Sequence, residues 1–277
     1  MMYQNITHAE YTSLGGLNRG GLLALSVSPR QYQHELANPR PQSAEMLLGV
    51  CLHSLVIEGV RRYEVAPDVD RRTKIGKAAW ADALNRSAGA PLLDAEDAER
   101  VEQMALSVAG HPYASKILTA PKIAREVSVT WEERVTWEER INGIDIPEVS
   151  IPCRARIDGI ADISGEAFLW DLKTYGREWD ERSLYYTTRD QYAMQLAWYR
   201  RAWQAQPDVS PIAAAVLIYV QSSAPYDVAV VDVPRPMLDA AWDRALDLVE
   251  LYAECREKNE WPGKFPEVIR AYKPQGE

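Results

Sequence analysis

The chain has little of what would mark it as secreted, metal-clustered or membrane-bound. Its 277 residues include three cysteines (Cys51, Cys153 and Cys255). They lie far apart, with no CxxC pair, which excludes a zinc knuckle and a disulfide framework and points to a reducing compartment. No apolar run approaches the ~20 residues of a membrane helix. The longest good candidate, Ile212 to Val220, suits a buried strand. The N-terminus MMYQNITHAEY has neither a basic start nor an apolar core, so it does not read as a secretion signal, and a cytoplasmic protein is expected. Positive charge is also scarce. With 31 Lys and Arg against 40 Asp and Glu the net charge is −9, which removes the global field by which proteins coat nucleic acid nonspecifically. A local basic channel or a metal site remains open. Phenylalanine is nearly missing, at two residues, while Trp and Tyr number nine and fourteen. Those side chains suit half-wet grooves and interfaces.

What is present reads as an ordinary folded chain, 47% hydrophobic and 26% charged. Residues 1–42 are turn-rich and predict one short helix, with Ser28 as N-cap and Pro29 at its first position. A helix over 43–59 is apolar nearly all round and is expected to be buried. A third should start at Asp94 and stop at Gly110. The period then changes to two, predicting strands at 124–131, 153–163, 168–175, 212–220 and near 226–233, with helices at about 189–206 and 235–258. Nothing within 43–260 looks like a linker. The reading is one α/β domain over 43–277, with residues 1–42 as an N-terminal extension packed on it. The hexapeptide VTWEER occurs twice in tandem, at 129–134 and 135–140. An even-numbered insertion preserves a strand's pleat, so a lengthened hairpin arm is expected.

The chemistry concentrates between Arg154 and Thr174. Two apolar-alternating runs flank Ser164-Gly165, a hairpin signature. An even-numbered loop centred there sets Asp158 opposite Asp171. A register shifted by one loop residue at each end sets Asp158 opposite Lys173. Either way, period-two alternation places Asp158, Asp171 and Lys173 on one face. Facing carboxylates need a shared proton or a cation. The apolar neighbours Ile157, Ile160, Leu169, Trp170 and Leu172 speak for a covered sheet, where unpaired acids are costly. A divalent ion between the aspartates therefore fits better than a solvated salt-bridged hairpin. Two carboxylates with the Leu172 carbonyl form a usual Mg²⁺ or Mn²⁺ arrangement.

At these residues the chain resembles the PD-(D/E)XK nuclease superfamily, with Asp158 as first acid and Asp171-Leu172-Lys173 as the D-x-K triplet. It is more closely similar to the RecE-type exonucleases of phages and prophages (exodeoxyribonuclease VIII C-terminal domain). The supporting segments are GVCLHSLVIEG at 49–59, RRTKIGKAAW at 71–80, HPYASKIL at 111–118, WDLKT at 170–174 and QYAMQLAWY at 191–199. The resemblance implies a restriction-endonuclease-like core, a central mixed β-sheet flanked by helices. It implies Asp158 and Asp171 as metal-binding acids, Lys173 as the catalytic lysine, and His53 as a further metal-site residue. Glu58 matches the acid that follows that histidine. Gln195 and Tyr199, with Gln191 in the same stripe, are implied to line the DNA-binding side. The implied activity is Mg²⁺-dependent 5′→3′ degradation of linear double-stranded DNA in a bacterial host cell, with Mn²⁺ as a substitute ion. It would leave 3′ single strands for a RecT-like annealing partner, and relatives form homo-oligomeric rings, here a trimer or tetramer. The competing reading is a catalytically inactive scaffold that binds DNA ends. A CRISPR-adaptation relative would need four cysteines for an iron–sulfur cluster, and only three are present.

Some of these residues also have plainer readings. His53 within an apolar helix could be a hydrogen-bonded core histidine. Glu58 lies about 140° around the helix from it. The stripe Gln191, Gln195, Tyr199 could be a surface face or an oligomer contact. Arg71, Arg72, Lys74 and Lys77 could contact phosphate or form a solvated face.

Overall fold

The computed structural model describes residues 1–4, 6–39, 41–135 and 149–265. Eight strands are described: β1 (Met2–Tyr3), β2 (Glu64–Val65), β3 (Leu92–Leu93), β4 (Lys122–Val135), β5 (Val149–Ile163), β6 (Glu166–Tyr175), β7 (Ile212–Gln221) and β8 (Val228–Asp232). Six of them form one mixed sheet in the order β1-β4-β5-β6-β7-β8, and β2 pairs with β3 in a separate ribbon. Within the large sheet only β6 and β7 run parallel.

The helices are α1 (His8–Ser13), α2 (Arg19–Val27), α3 (Pro29–Ala37), α4 (Ala44–His53), α5 (Lys74–Ser87), α6 (Ala95–Gly110), α7 (Pro112–Thr119), α8 (Glu181–Thr187), α9 (Ala193–Gln204) and α10 (Arg235–Lys258). Their starts follow local chemistry. Ser28, Ser43 and Asp94 each accept a backbone N–H three residues on, as N-caps do. The 43–59 prediction is met by α4 followed by a π-helical turn (Ser54–Glu58) that ends on Gly59 in the left-handed region (φ 71°). Burial differs from expectation there. α4 buries Leu48, Cys51 and Leu52 but leaves Met46 and Val50 more than half exposed, because only one of its faces meets the sheet layer. A second π-helical turn, Thr188–Tyr192, precedes α9 and takes up the start of the helix expected from residue 189.

The helices lie in two layers. α9 and α10, with Leu17, Leu22 and Leu25 of the first 42 residues, bury one face through Leu196, Trp198, Ala202 and Val249 against Val129, Ile157, Leu169 and Leu217. α4, α6 and α7 bury the other against Trp170, Leu172 and Ile218. β1 adds to the outer edge of β4. The first VTWEER copy falls within β4, paired with β5 as far as Val135↔Val149. The second copy lies outside the described residues from 136 onward.

The β5–β6 hairpin turns on Ser164 (φ 59°) and Gly165 (φ 86°), both left-handed, as a two-residue type I′ turn requires. Pairing runs from Ile163↔Glu166 to Gly159↔Trp170. That is the first of the two registers considered, and continued by one step it brings Asp158 across from Asp171. Gly159 is obligatory for packing: a Cβ there would stand 2.1 Å from the Trp170 ring.

Candidate metal and nuclease site

Past Gly159↔Trp170 the β5–β6 ladder stops, and the candidate site opens where it ends. Leu172 turns its side chain into the core and its peptide toward β5. Its N–H donates to Asp158 Oδ2 (3.2 Å), and its carbonyl accepts from His53 Nε2 (2.8 Å). His53, the last residue of α4, also places Nε2 3.6 Å from Asp158 Oδ2. From the opposite helix layer, Gln195 donates to Asp171 Oδ1 (3.0 Å) and to the Tyr199 hydroxyl (2.8 Å). Lys173 forms an ion pair with Asp171 Oδ2, and its ammonium lies 5.4 Å from the centre of the Tyr192 ring.

Period-two alternation holds from Asp171 to Lys173 and along β5 from the hairpin to Gly159, and breaks between Gly159 and Ile157. Ile157 and Ile160, three residues apart, bury in the same core half, as do Ala124 and Val127 on β4. Both strands therefore change face at this level. On β4 the change occurs at Glu126, a non-glycine residue at φ 45°. Asp158 sits at the corresponding break in β5, which is how its carboxylate reaches between the strands.

Glu126 is the residue that sequence reasoning missed. With His53 and Asp158 it forms a group whose ligand atoms all lie within 4.8 Å of one another. Its Oε2 also accepts from Arg156 Nε at 2.8 Å. The available signal was the charged pair Arg125-Glu126 interrupting the apolar alternation between Ala124 and Val127, a break in the period of two.

Electrostatics follow from burial. Asp171 is fully buried and Asp158 is 7% exposed. Burial first, then the charge of Asp171, pushes the Asp158 carboxyl from 3.8 up to about 7, against the pull of His53 and Lys173. Burial would lower Lys173, but Asp171 and Asp158 outweigh it and hold the ammonium above its ordinary value. Tyr199 is raised by burial and then by the two aspartates. Near neutral pH, with Lys173 already paired to Asp171, Asp158 thus holds a proton or requires a further cation. The donors available, imidazole nitrogen, carboxylates and a backbone carbonyl, suit a small divalent ion.

Other predicted residues fall elsewhere. Glu58 accepts from Arg62 Nε at 2.7 Å and is not in the three-residue ligand group with His53. Gln195 and Tyr199 are buried behind Asp171 and do not form an open surface or an oligomer face. Gln191 belongs to the π-helical turn, where its backbone carbonyl accepts from Arg19 (3.1 Å). That turn breaks the four-residue stripe and sets Tyr192 beside Lys173. Arg71, Arg72 and Lys74 are exposed around the start of α5; Arg71 lies over the Trp80 ring (4.0 Å), and no described contact joins them to the carboxylates.

A mixed sheet between helix layers, with two acids and a lysine at the mouth of adjoining central strands, defines the PD-(D/E)XK class of α/β fold. Residues 25–270 match the family described as "PDDEXK-like domain of unknown function (DUF3799)", and the chain belongs to that family. No curated protein matches the sequence. Among solved structures, a "Putative exonuclease" from Eubacterium rectale aligns over 98% of this chain and 97% of its own, with a TM-score of 0.59 at 12% identity. That likeness bears on the fold alone. A second structure, SSO0001, covers 75% of this chain and 85% of its own at 14% identity, but its TM-score of 0.27 carries no argument. Among the described residues no helix is long and apolar enough to cross a membrane.

Proposed function

We propose that the chain is a divalent-metal-dependent deoxyribonuclease that hydrolyses phosphodiester bonds from the ends of linear duplex DNA. The observation that carries this reading is the convergence of Asp158, Asp171, Lys173 and the Leu172 carbonyl at the end of one hairpin, with His53 2.8 Å from that carbonyl. His53, Asp158 and Glu126, whose ligand atoms already stand together, would hold the ion; Asp171, outside that group and paired with Gln195 and Lys173, and the Leu172 carbonyl would complete the set. Bound there, Mg²⁺ or Mn²⁺ supplies Lewis acidity toward a phosphoryl oxygen and acidifies a coordinated water.

The chain's own residues do the rest. Gln195 fixes the Asp171 carboxylate by donating to Oδ1, leaving Oδ2 to Lys173. The Leu172 N–H fixes Asp158 in the same way. Lys173, held charged by both acids, is positioned to orient the attacking water and to stabilise charge growing on the phosphate. The Tyr192 ring beneath its ammonium limits where that ammonium can move.

The finer assignment rests on the RecE-type resemblance: 5′→3′ polarity, Mg²⁺ as the working ion, 3′ tails passed to a single-strand annealing partner, a homo-oligomeric ring and action in a bacterial cytoplasm. The test is to incubate end-labelled linear and closed circular duplex with Mg²⁺ or EDTA and to size the products. Loss of linear but not circular DNA, with Mg²⁺ only, is expected. Lys173→Ala should abolish it, and equal digestion by that variant would overturn the assignment. Mn²⁺ binding without cleavage of any DNA would instead favour the inactive scaffold.

A further inference from the structure

Glu126 serves two groups at once. Its Oε2 accepts from Arg156 Nε at 2.8 Å, and one of its oxygens lies within 4.8 Å of ligand atoms on both His53 and Asp158. Arg156 stands on β5 two residues before Asp158. Since Val127 pairs with Ile157 and Ser128 with Arg156, its guanidinium reaches Glu126 along the diagonal of the ladder. The pair is mostly sheltered, with side chains 25% and 20% exposed. The left-handed backbone at Glu126 aims its carboxylate at this point and away from a regular strand direction. A divalent ion beside His53 and Asp158 would draw the same carboxylate and repel the guanidinium next to it.

We propose that Arg156 is an exchangeable counter-ion, paired with Glu126 when no divalent ion is held and turned to a phosphate of the substrate strand when Glu126 takes up the ion. A guanidinium so released, two residues from a metal-binding acid, has the fork geometry that suits phosphate oxygens. The exchange makes metal and DNA binding mutually reinforcing, by the same factor in either order. The phosphate half rests on the nuclease reading; the competition with metal does not require DNA.

The experiment is calorimetric titration of Mn²⁺ into DNA-free protein. Arg156→Gln should bind Mn²⁺ roughly two- to fivefold more tightly, as expected for loss of one partly exposed ion-pair competitor. Arg156→Lys, which keeps the charge, should stay near wild type, and Glu126→Gln should bind more weakly. In the Glu126→Gln background, Arg156→Gln should gain less than it does with Glu126 present, because only the direct repulsion of the ion is then relieved. With Ca²⁺ present, the affinity of wild type for a short fluorescein-labelled duplex should rise, and Arg156→Gln should lose much of that rise. An Arg156→Gln protein that is folded by circular dichroism but binds Mn²⁺ no better than wild type overturns the exchange. So does a gain of the same size without Glu126. If wild type shows no Mn²⁺ site sensitive to Asp158→Asn, the exchange and the nuclease reading fall together. A site that depends on Asp158 but not on Arg156 removes the exchange alone.

Discussion

Asp158→Asn should make the metal-free protein more stable, and by an amount that grows with pH. The carboxyl is raised from 3.8 to about 7 in the folded chain, so it holds its proton about 4 kcal/mol more tightly than when unfolded, at 1.36 kcal/mol per tenfold in affinity. A folded-state value above the unfolded one contributes stability that is complete below about pH 4. That stability is lost as pH rises toward and through about 7. Asparagine keeps an oxygen to accept from the Leu172 N–H and never ionises. In EDTA the two proteins should therefore unfold alike near pH 4. By pH 8 the variant should lead by about 4 kcal/mol, or about 8 °C for a domain of this size. Thermal unfolding followed by circular dichroism across this pH range measures the difference, because carboxylates remote from this pair contribute equally to both proteins. Mn²⁺ should raise wild type and leave the variant unmoved. A variant that is equal or less stable at pH 8 in EDTA would mean that Asp158 is not an uncompensated buried acid.

Removing Lys173 should act in the opposite direction. Asp171 is fully buried, so Lys173→Ala should cost roughly 3–5 kcal/mol without metal by leaving an unpaired charge, recoverable in part by Mn²⁺ in urea titrations. Gly159→Ala puts a methyl 2.1 Å from the Trp170 ring and should destabilise by about 1–3 kcal/mol or more; an unchanged urea midpoint would show that the ring moves freely. Glu58→Gln should shift stability by no more than about 0.5 kcal/mol and leave Mn²⁺ affinity at the wild-type value, since Glu58 is engaged with Arg62. Weaker Mn²⁺ binding by that variant would return Glu58 to the metal site.

Local rules carried the sequence reading a long way because they concern neighbours in the chain. Ser28, Ser43 and Asp94 announce helix starts through side-chain oxygens that reach backbone N–H groups three residues on. Ser164-Gly165 announces a two-residue hairpin, and that loop sets the register that brings Asp158 toward Asp171. The D-x-K triplet then follows from period-two alternation along a single strand. These elements are short-range geometry, and the sequence determined them.

What lay beyond reach depends on residues far apart in the chain. Glu126 joins His53 and Asp158 only because β4 lies beside β5 and changes face at the same level. No rule confined to one strand predicts that coincidence. Gln195 reads as one member of a polar stripe until the packing of α9 buries it against Asp171. The π-helical turns at Ser54–Glu58 and Thr188–Tyr192 each insert a phase shift that ideal helical spacing does not contain, and the second holds the Tyr192 ring beside Lys173. Local patterning already puts Asp158, Asp171 and Lys173 on one hairpin. Which side chains surround them depends on the packing of the layers, because burial and charge compensation act between elements and are settled only when those layers close.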